Sequence, residues 1–262
     1  MSSLVLKLIA LGTMLIDHIA ACLNRSGHFP PGNFSGAIFA DGAFSLYWFM
    51  RAVGRIAFPI FCFQLVEGAI HTKNKGAYAT RIAVFALISE FPFDLALHLK
   101  YVDWTGQNVF LTLLIGLLLI YELQWADNEQ GRNRIMGYIA YPVLTLFACM
   151  ISRNLLKNDY SEAGILAISV MGLLSLRIVR ELERRISTRV VRLLFCMVAS
   201  LLLIRFTNDF ESWCLLALVP IGLYNGNKGY KSRAIQYGAY LFYPAHLMIL
   251  GLLAALPVML RH

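Results

Sequence analysis

The strongest constraint on this chain is a succession of apolar runs, most of them near the roughly 20 residues that a helix needs to cross a bilayer. They fall at about 4–23, 46–70, 79–99, 108–124, 135–151, 161–179, 189–206, 211–224 and 236–259, the run at 211–224 being the shortest. Of the 262 residues, 58% are hydrophobic and only 15% are charged. Soluble domains carry about a quarter charged residues, so a soluble fold of this length would lack a charged surface. The pattern predicts an all-α, polytopic integral membrane protein. About nine transmembrane helices would form one bundle, a single domain over 1–262. The longest connection, 24–45, contains the turn-rich "HFPPGNFSGAIFADG". No internal repeat is evident. The first run, interrupted by Asp17 and His18 and lacking a small-x-small cleavage pattern, reads as a retained helix rather than a signal peptide.

The net charge of +8 would suggest nucleic acid in a soluble protein, but no nucleic-acid-binding pattern accompanies it. In a membrane protein it reflects basic residues gathered in cytoplasmic loops. Of the 23 Lys and Arg residues, 15 fall on one side: Lys7, Lys73, Lys75, Arg81, Arg132, Arg134, Lys228, Lys231, Arg233 and the six arginines between 177 and 192. The other 8 are Arg25, Arg51, Arg55, Lys100, Arg153, Lys157, Arg205 and Arg261. The positive-inside rule makes the first side cytoplasmic, with the N-terminus inside. The five cysteines (Cys22, Cys62, Cys149, Cys196 and Cys214) show no metal-ligand spacing and read as small buried hydrophobes. No metal site is expected.

Ionisable groups inside spans are costly and are functional candidates by default. Here they collect in the outer half. Asp17 and His18 lie in the first span, Arg51 and Arg55 enter the second, and Glu90 and Asp94 sit late in the third. Asn108 and Thr112 open the fourth, Asp159 opens the sixth, and His246 lies near the middle of the last. Each alone reads equally well as an interhelical hydrogen bond. Both signs of charge and two histidines at one depth favour a polar cavity. Lys7 and His18 are eleven positions apart. At 100° and 1.5 Å per residue they share one helix face, separated by about 16.5 Å along the axis. The plain alternative is a lysine that snorkels to the headgroups.

The stretches "LKLIALGTMLIDHIAACL", "VGRIAFPIFCFQLVEGAIHTKNKGAYATRIAVFALISEFPFDLAL", "NVFLTLLIGLLLIYEL", "DYSEAGILAI" and "AYLFYPAHLMILGLL" resemble, in order, the blocks of the TraX family, which is named for a conjugative pilin N-acetylase. The resemblance covers nearly the whole chain apart from about 180–210. It is most specific at "MLIDHI", "GRIAFPIF" and "YPAHL". TraX proteins are distantly similar to larger transmembrane acyltransferases, including acyltransferase family 3. Many of these carry Arg or Lys, ten intervening residues and then His in their first helix, as Lys7 and His18 do here. The "FPIF" of the second span is similar to the "FPFF" region of the lysosomal glucosaminide acetyltransferases.

These resemblances imply an integral membrane acyltransferase that uses acetyl-CoA (or another acyl-CoA) as donor, with membrane lipids around it. It would sit in the bacterial cytoplasmic (inner) membrane. The acceptor at the outer face would be an amine or hydroxyl of a pilin, glycan, lipid or peptide. His18 would be the general base or a carrier that takes the acyl group. Neighbours on a helix point about 100° apart, so Asp17 is poorly placed to orient His18. Glu90, Asp94 or His246 could do so from another helix. Arg55 or Asn108 would serve the developing oxyanion, or Arg55 would pair with an acid. Arg55 is also a candidate, with Lys7, Lys73 and Arg81, for holding the donor. The rival classes are a proton-coupled transporter, against which no inverted repeat is seen, and a non-catalytic assembly factor for a pilus or secretion apparatus. Single cysteines introduced beside Lys73, Arg132 and Lys231 should react with impermeant reagents only from the cytoplasm. Labelling of those sites from outside would overturn the topology.

Overall fold

The computed structural model describes residues 1–27, 29, 38–40, 43–229 and 232–259, and Lys231 and Arg261 of the charge count lie outside the described residues. The chain is built of helices, with one two-residue antiparallel ribbon (Phe39–Ala40 with Ala43–Phe44) among the described residues. Helix α1 (Ser3–Arg25) starts at Ser2, whose hydroxyl accepts the Val5 N–H. Leu6, Ala10, Met14, Asp17 and His18 form its buried stripe, at the three- and four-residue spacing of one helical face. Helices α2 (Leu46–Gly54) and α3 (Ala57–His71) run on from one another with a break at Arg55 and Ile56. Pro59 sits in the first turn of α3, where its missing N–H costs little.

Helix α4 (Lys75–Phe93) is capped by Asn74 and passes into a π-helical turn, Asp94–His98, that ends on left-handed Leu99. Helix α5 (Val109–Asn128) is capped by Asn108, and α6 (Gly131–Ile151) ends in a second π turn, Ser152–Leu156. Helix α7 (Ser161–Gly172), with a short 3-10 extension to Ser175, turns by 69° into α8 (Arg177–Arg185). Next come α9 (Thr188–Phe206), a 3-10 helix Asp209–Ala217, α10 (Leu218–Gly222) and α11 (Arg233–Met259).

One core runs from Leu6 in α1 through Phe63, Leu117, Ile168 and Leu203 to Leu247 in α11. The outside is apolar as well. Ile135, Ile139, Val143, Leu146 and Met150 form an exposed stripe on α6, with Ile139 63% exposed. In water such a stripe would be an aggregation liability, whereas acyl chains accept it.

Five stretches are long and apolar enough to cross a membrane: Ser3–Arg25, Leu46–His71, Val109–Asn128, Gly131–Leu156 and Ala234–Ala255. The bent α7–α8 pair makes a sixth if it counts as one span. The other expected spans also coincide with helical segments, but each is too polar or too short to qualify by itself. Helix α9 carries Arg189, Arg192 and Arg205, and α4 carries Lys75, Arg81 and Glu90. The segment at 211–224 is split between 3-10 and α geometry. It is too short for a straight span at 1.5 Å per residue.

Candidate functional site

Two helices supply a pair of stacked imidazoles. His18 on α1 and His246 on α11 lie with ring centroids 5.0 Å apart and planes 10° from parallel. Nδ1 of His18 stands 2.7 Å from Nε2 of His246, and Nδ1 of His246 stands 2.6 Å from the carbonyl oxygen of Phe242. A carbonyl oxygen only accepts, so the proton of a neutral His246 is on Nδ1 and its Nε2 is an acceptor. His18 therefore donates from Nδ1, and its Nε2 carries an unshared electron pair. No described residue hydrogen-bonds that nitrogen. Tyr243, one helical turn before His246, packs edge-on against both rings with centroids 5.9 and 5.8 Å away.

His18 lines a cavity of about 640 Å³ together with Asp17, Arg51, Arg55, His98, Asp159 and Tyr243, among others. Asp17 points away from the imidazole of its neighbour and into an ion-pair network. It accepts from Arg51 at 2.7 Å and from Arg55 at 3.0 Å, while Arg55 also reaches Glu211 at 3.2 Å. Gly54 makes the pairing possible, since a Cβ there would fall 2.2 Å from Asp17 Oδ1. Asp159, which the structure places two residues before α7 and so outside that span, lines the same cavity. Burial pushes its carboxyl up to about 6, against the pull of Arg55.

Glu90 and Asn108 are brought together but not to this cavity. Asn108 donates from Nδ2 to the Ala86 carbonyl at 2.8 Å and to Glu90, and its Oδ1 accepts the Phe110 N–H at 3.0 Å. With its amide protons engaged, Asn108 holds α4 to α5 and has none left for an oxyanion. Asp94 accepts the Asp103 N–H at 2.8 Å and faces His98. It does not line the His18 cavity.

The basic residues divide in the same way. Lys7, Lys73 and Arg81 line a second cavity of about 580 Å³ at the other end of the bundle, with His71, Lys228 and Tyr240. Arg55 is absent from it and stands beside His18. Between the two lies a narrow, mostly apolar space of about 110 Å³ lined by Leu11, Phe61 and Leu65, among others. Lys7, Gln64, Tyr78 and Tyr240 border both the basic cavity and this neck, and Phe61 borders both the neck and the His18 cavity. The face of α1 that carries Lys7, Leu11, Met14 and His18 thus runs past all three spaces. Among the described residues no group of His, Cys, Asp and Glu could hold a metal ion, and all five cysteines are free and buried.

Sequence reasoning missed His98, Tyr243 and Glu211. Tyr243 carried a signal, because "YPAH" puts it three residues from His246 on one helical face. His98 and Asp94 share the same i,i+4 logic. Glu211 carried none, being 156 residues from Arg55 in the chain.

Fold and site together define a multi-pass helical membrane protein with a buried histidine pair, a basic pocket, and a small apolar space whose lining adjoins both. The chain matches the family model described as "TraX protein" over residues 2–254 and belongs to the TraX family. It is 26% identical over 266 residues to the probable fimbrial assembly protein FimC, serogroup H1, of Dichelobacter nodosus, covering 95% of this chain and 94% of that one. No solved structure matches it.

The Asp159 carboxyl gives a pH prediction. Its value of about 6 lies above the ordinary 3.8, so ionisation is harder in the folded protein than in the unfolded chain. The resulting cost is absent below about pH 4 and complete above pH 6 to 7. Asp159→Asn should therefore stabilise the detergent-solubilised protein at pH 7.5, by on the order of 1 kcal/mol after discounting for solvent screening. Near pH 4 it should change nothing. A thermal melt series from pH 4 to 8 that shows the opposite trend would refute this reading.

Proposed function

We propose that the protein is an integral membrane acyltransferase that takes an acyl group, an acetyl group in the first instance, from cytoplasmic acyl-CoA. It delivers that group to an amine or hydroxyl at the outer face of the inner membrane. The observation that carries this reading is the unprotonated Nε2 of His18, on a cavity whose lining meets at Phe61 a small apolar space that in turn shares Lys7 with the basic pocket. The reading assumes about nine passes, with the 15 basic residues and the N-terminus inside.

Each part has a role suited to its chemistry. Lys7, Lys73 and Arg81 offer cations to the donor's phosphates at the inner end. The neck admits an extended, largely uncharged arm and excludes bulk water. His18 meets the thioester carbonyl with a nitrogen whose lone pair is held ready by the proton arrangement of His246 and Phe242. The preorganised hydrogen bonds cost no rearrangement as charge develops. Arg51 and Arg55, fixed by Asp17 and Glu211, offer N–H donors on one wall of the reaction space. The acceptor belongs to the envelope: a pilin, glycan, lipid or peptide.

The printed name of the FimC relative favours a second reading, a non-catalytic part in assembling fimbriae or pili. The two separate on the donor. An acyltransferase gains thermal stability from acetyl-CoA in detergent or nanodiscs, and an assembly factor or a transporter of another solute does not. In the enzyme, Lys7→Ala should raise the donor KM more than it lowers kcat, because phosphate binding is alike in ground and transition states. His18→Gln keeps a polar side chain of similar reach but cannot act as a base or carrier. It should lose about 10²–10⁴-fold in transfer rate with CoA binding retained. Full transfer by His18→Gln at equal membrane insertion would make the histidine structural.

A further inference from the structure

A second imidazole faces the His18 cavity. His98 ends the π turn after α4, and Nδ1 of its ring lies 3.4 Å from Asp94 Oδ1 and 3.4 Å from Asp103 Oδ2. Asp94 is nearly fully buried. Asp103 is fixed in turn by the Thr105 hydroxyl and N–H and by Lys100 at 3.0 Å. The side chain of His98 keeps 21% exposure although Nδ1 itself is buried, so the open part of the ring lies on its other atoms. Gly106 stands against the Cε1–Nε2 edge. A Cβ there would come within 3.2 Å of Cε1 and 3.5 Å of Nε2, so a larger residue would crowd that edge.

The two imidazoles lining one cavity thus have opposite backing. His18 leans on a neutral ring, and its neighbour Asp17 is turned to Arg51 and Arg55. His98 has two carboxylates beside its Nδ1, each 3.4 Å away and neither in hydrogen-bond geometry. A histidine backed by a neutral partner is suited to attack and to leave. One backed by carboxylates is suited to take and hold a proton.

We infer that the two histidines divide the transfer: His18 carries the acyl group and His98 takes the proton of the incoming acceptor. This rests on the acyltransferase reading. In the first half, His18 Nε2 bonds to the thioester carbonyl carbon and the carbon–sulfur bond breaks. The CoA thiolate leaves toward the cytoplasm, and the Nδ1 proton of His18 passes to His246 Nε2. In the second half, the acceptor's nitrogen or oxygen bonds to the acyl carbon and the carbon–Nε2 bond breaks. The acceptor's proton goes to His98, and His246 returns its proton to His18. His98 then releases its proton on the outer side, and the thiolate takes one up on the inner side, so atoms and charge balance.

The test uses the full chain in nanodiscs and separates the halves. The first half is read by exchange of labelled CoA into acetyl-CoA without acceptor. The second is read by acetylation of two soluble probes, glycinamide and hydroxylamine, the latter a strong nucleophile that needs little help from a base. His98→Gln should keep exchange and lose about 10²-fold or more of glycinamide transfer. Hydroxylamine transfer should fall far less. Asp103→Asn should move the pH profile of glycinamide transfer without changing exchange, and His18→Gln should abolish everything. Loss of exchange in His98→Gln, or its full transfer to glycinamide, overturns the division of labour. So does wild-type transfer without any exchange, since His18 would then be a base and not a carrier. A wild type with neither activity defeats the acyltransferase reading itself.

Discussion

A carbonyl oxygen cannot donate a proton, and that fact orders the centre of this molecule. Because the Phe242 carbonyl accepts a hydrogen bond from the Nδ1–H of His246, His246 must accept from His18, and His18 must present a bare Nε2. The carbonyl involved is that of a residue four positions before His246 on the same helix. Helix α11 therefore sets both the position of His246 and its tautomer. In a medium with little water the direction of such a chain is fixed, because each unsatisfied polar group costs several kcal/mol.

The ion-pair network beside it obeys the same constraint. Arg51 and Arg55 enter the bundle where α2 gives way to α3, and Asp17 and Glu211 answer them from α1 and the 3-10 helix. Removing one partner would strand a buried charge at a cost of several kcal/mol. These residues therefore hold α1, α2 and the 3-10 helix together at the depth of His18. Asp17 and His18, adjacent in the chain, serve separate systems for the reason a helix dictates: side chains one residue apart point about 100° away from each other.

Much of this was legible in the sequence. Each apolar run coincides with helical structure, and the eleven-residue interval from Lys7 to His18 places both on the face that passes the two cavities and their neck. His246 was within reach because a histidine near the middle of an apolar helix is rare enough to single out. The errors have physical causes. Asn108 looked available, but as the residue before α5 it acts as a helix cap, and its amide protons go to Ala86 and Glu90. For Arg55 the sequence left open the donor, the oxyanion and an acidic partner, and depth in the bundle pairs it with Asp17 and Glu211. Apolar length alone did not show that α7 would bend by 69° at its end. His98 escaped notice because its meaning depends on Asp103 and Gly106, which a loop folds against it.

The central claim is that one continuous track joins the basic pocket to His18. Leu11 lines the neck of that track and touches neither end. Leu11→Trp fills the neck with a larger apolar side chain. The direct measurement is CoA binding and acetyl transfer by this variant, side by side with wild type, in nanodiscs. If donor and histidine meet through the neck, the variant still binds CoA at the basic pocket and transfers almost nothing. Undiminished transfer with the neck filled would show that the thioester reaches its acceptor by another route and would contradict the account.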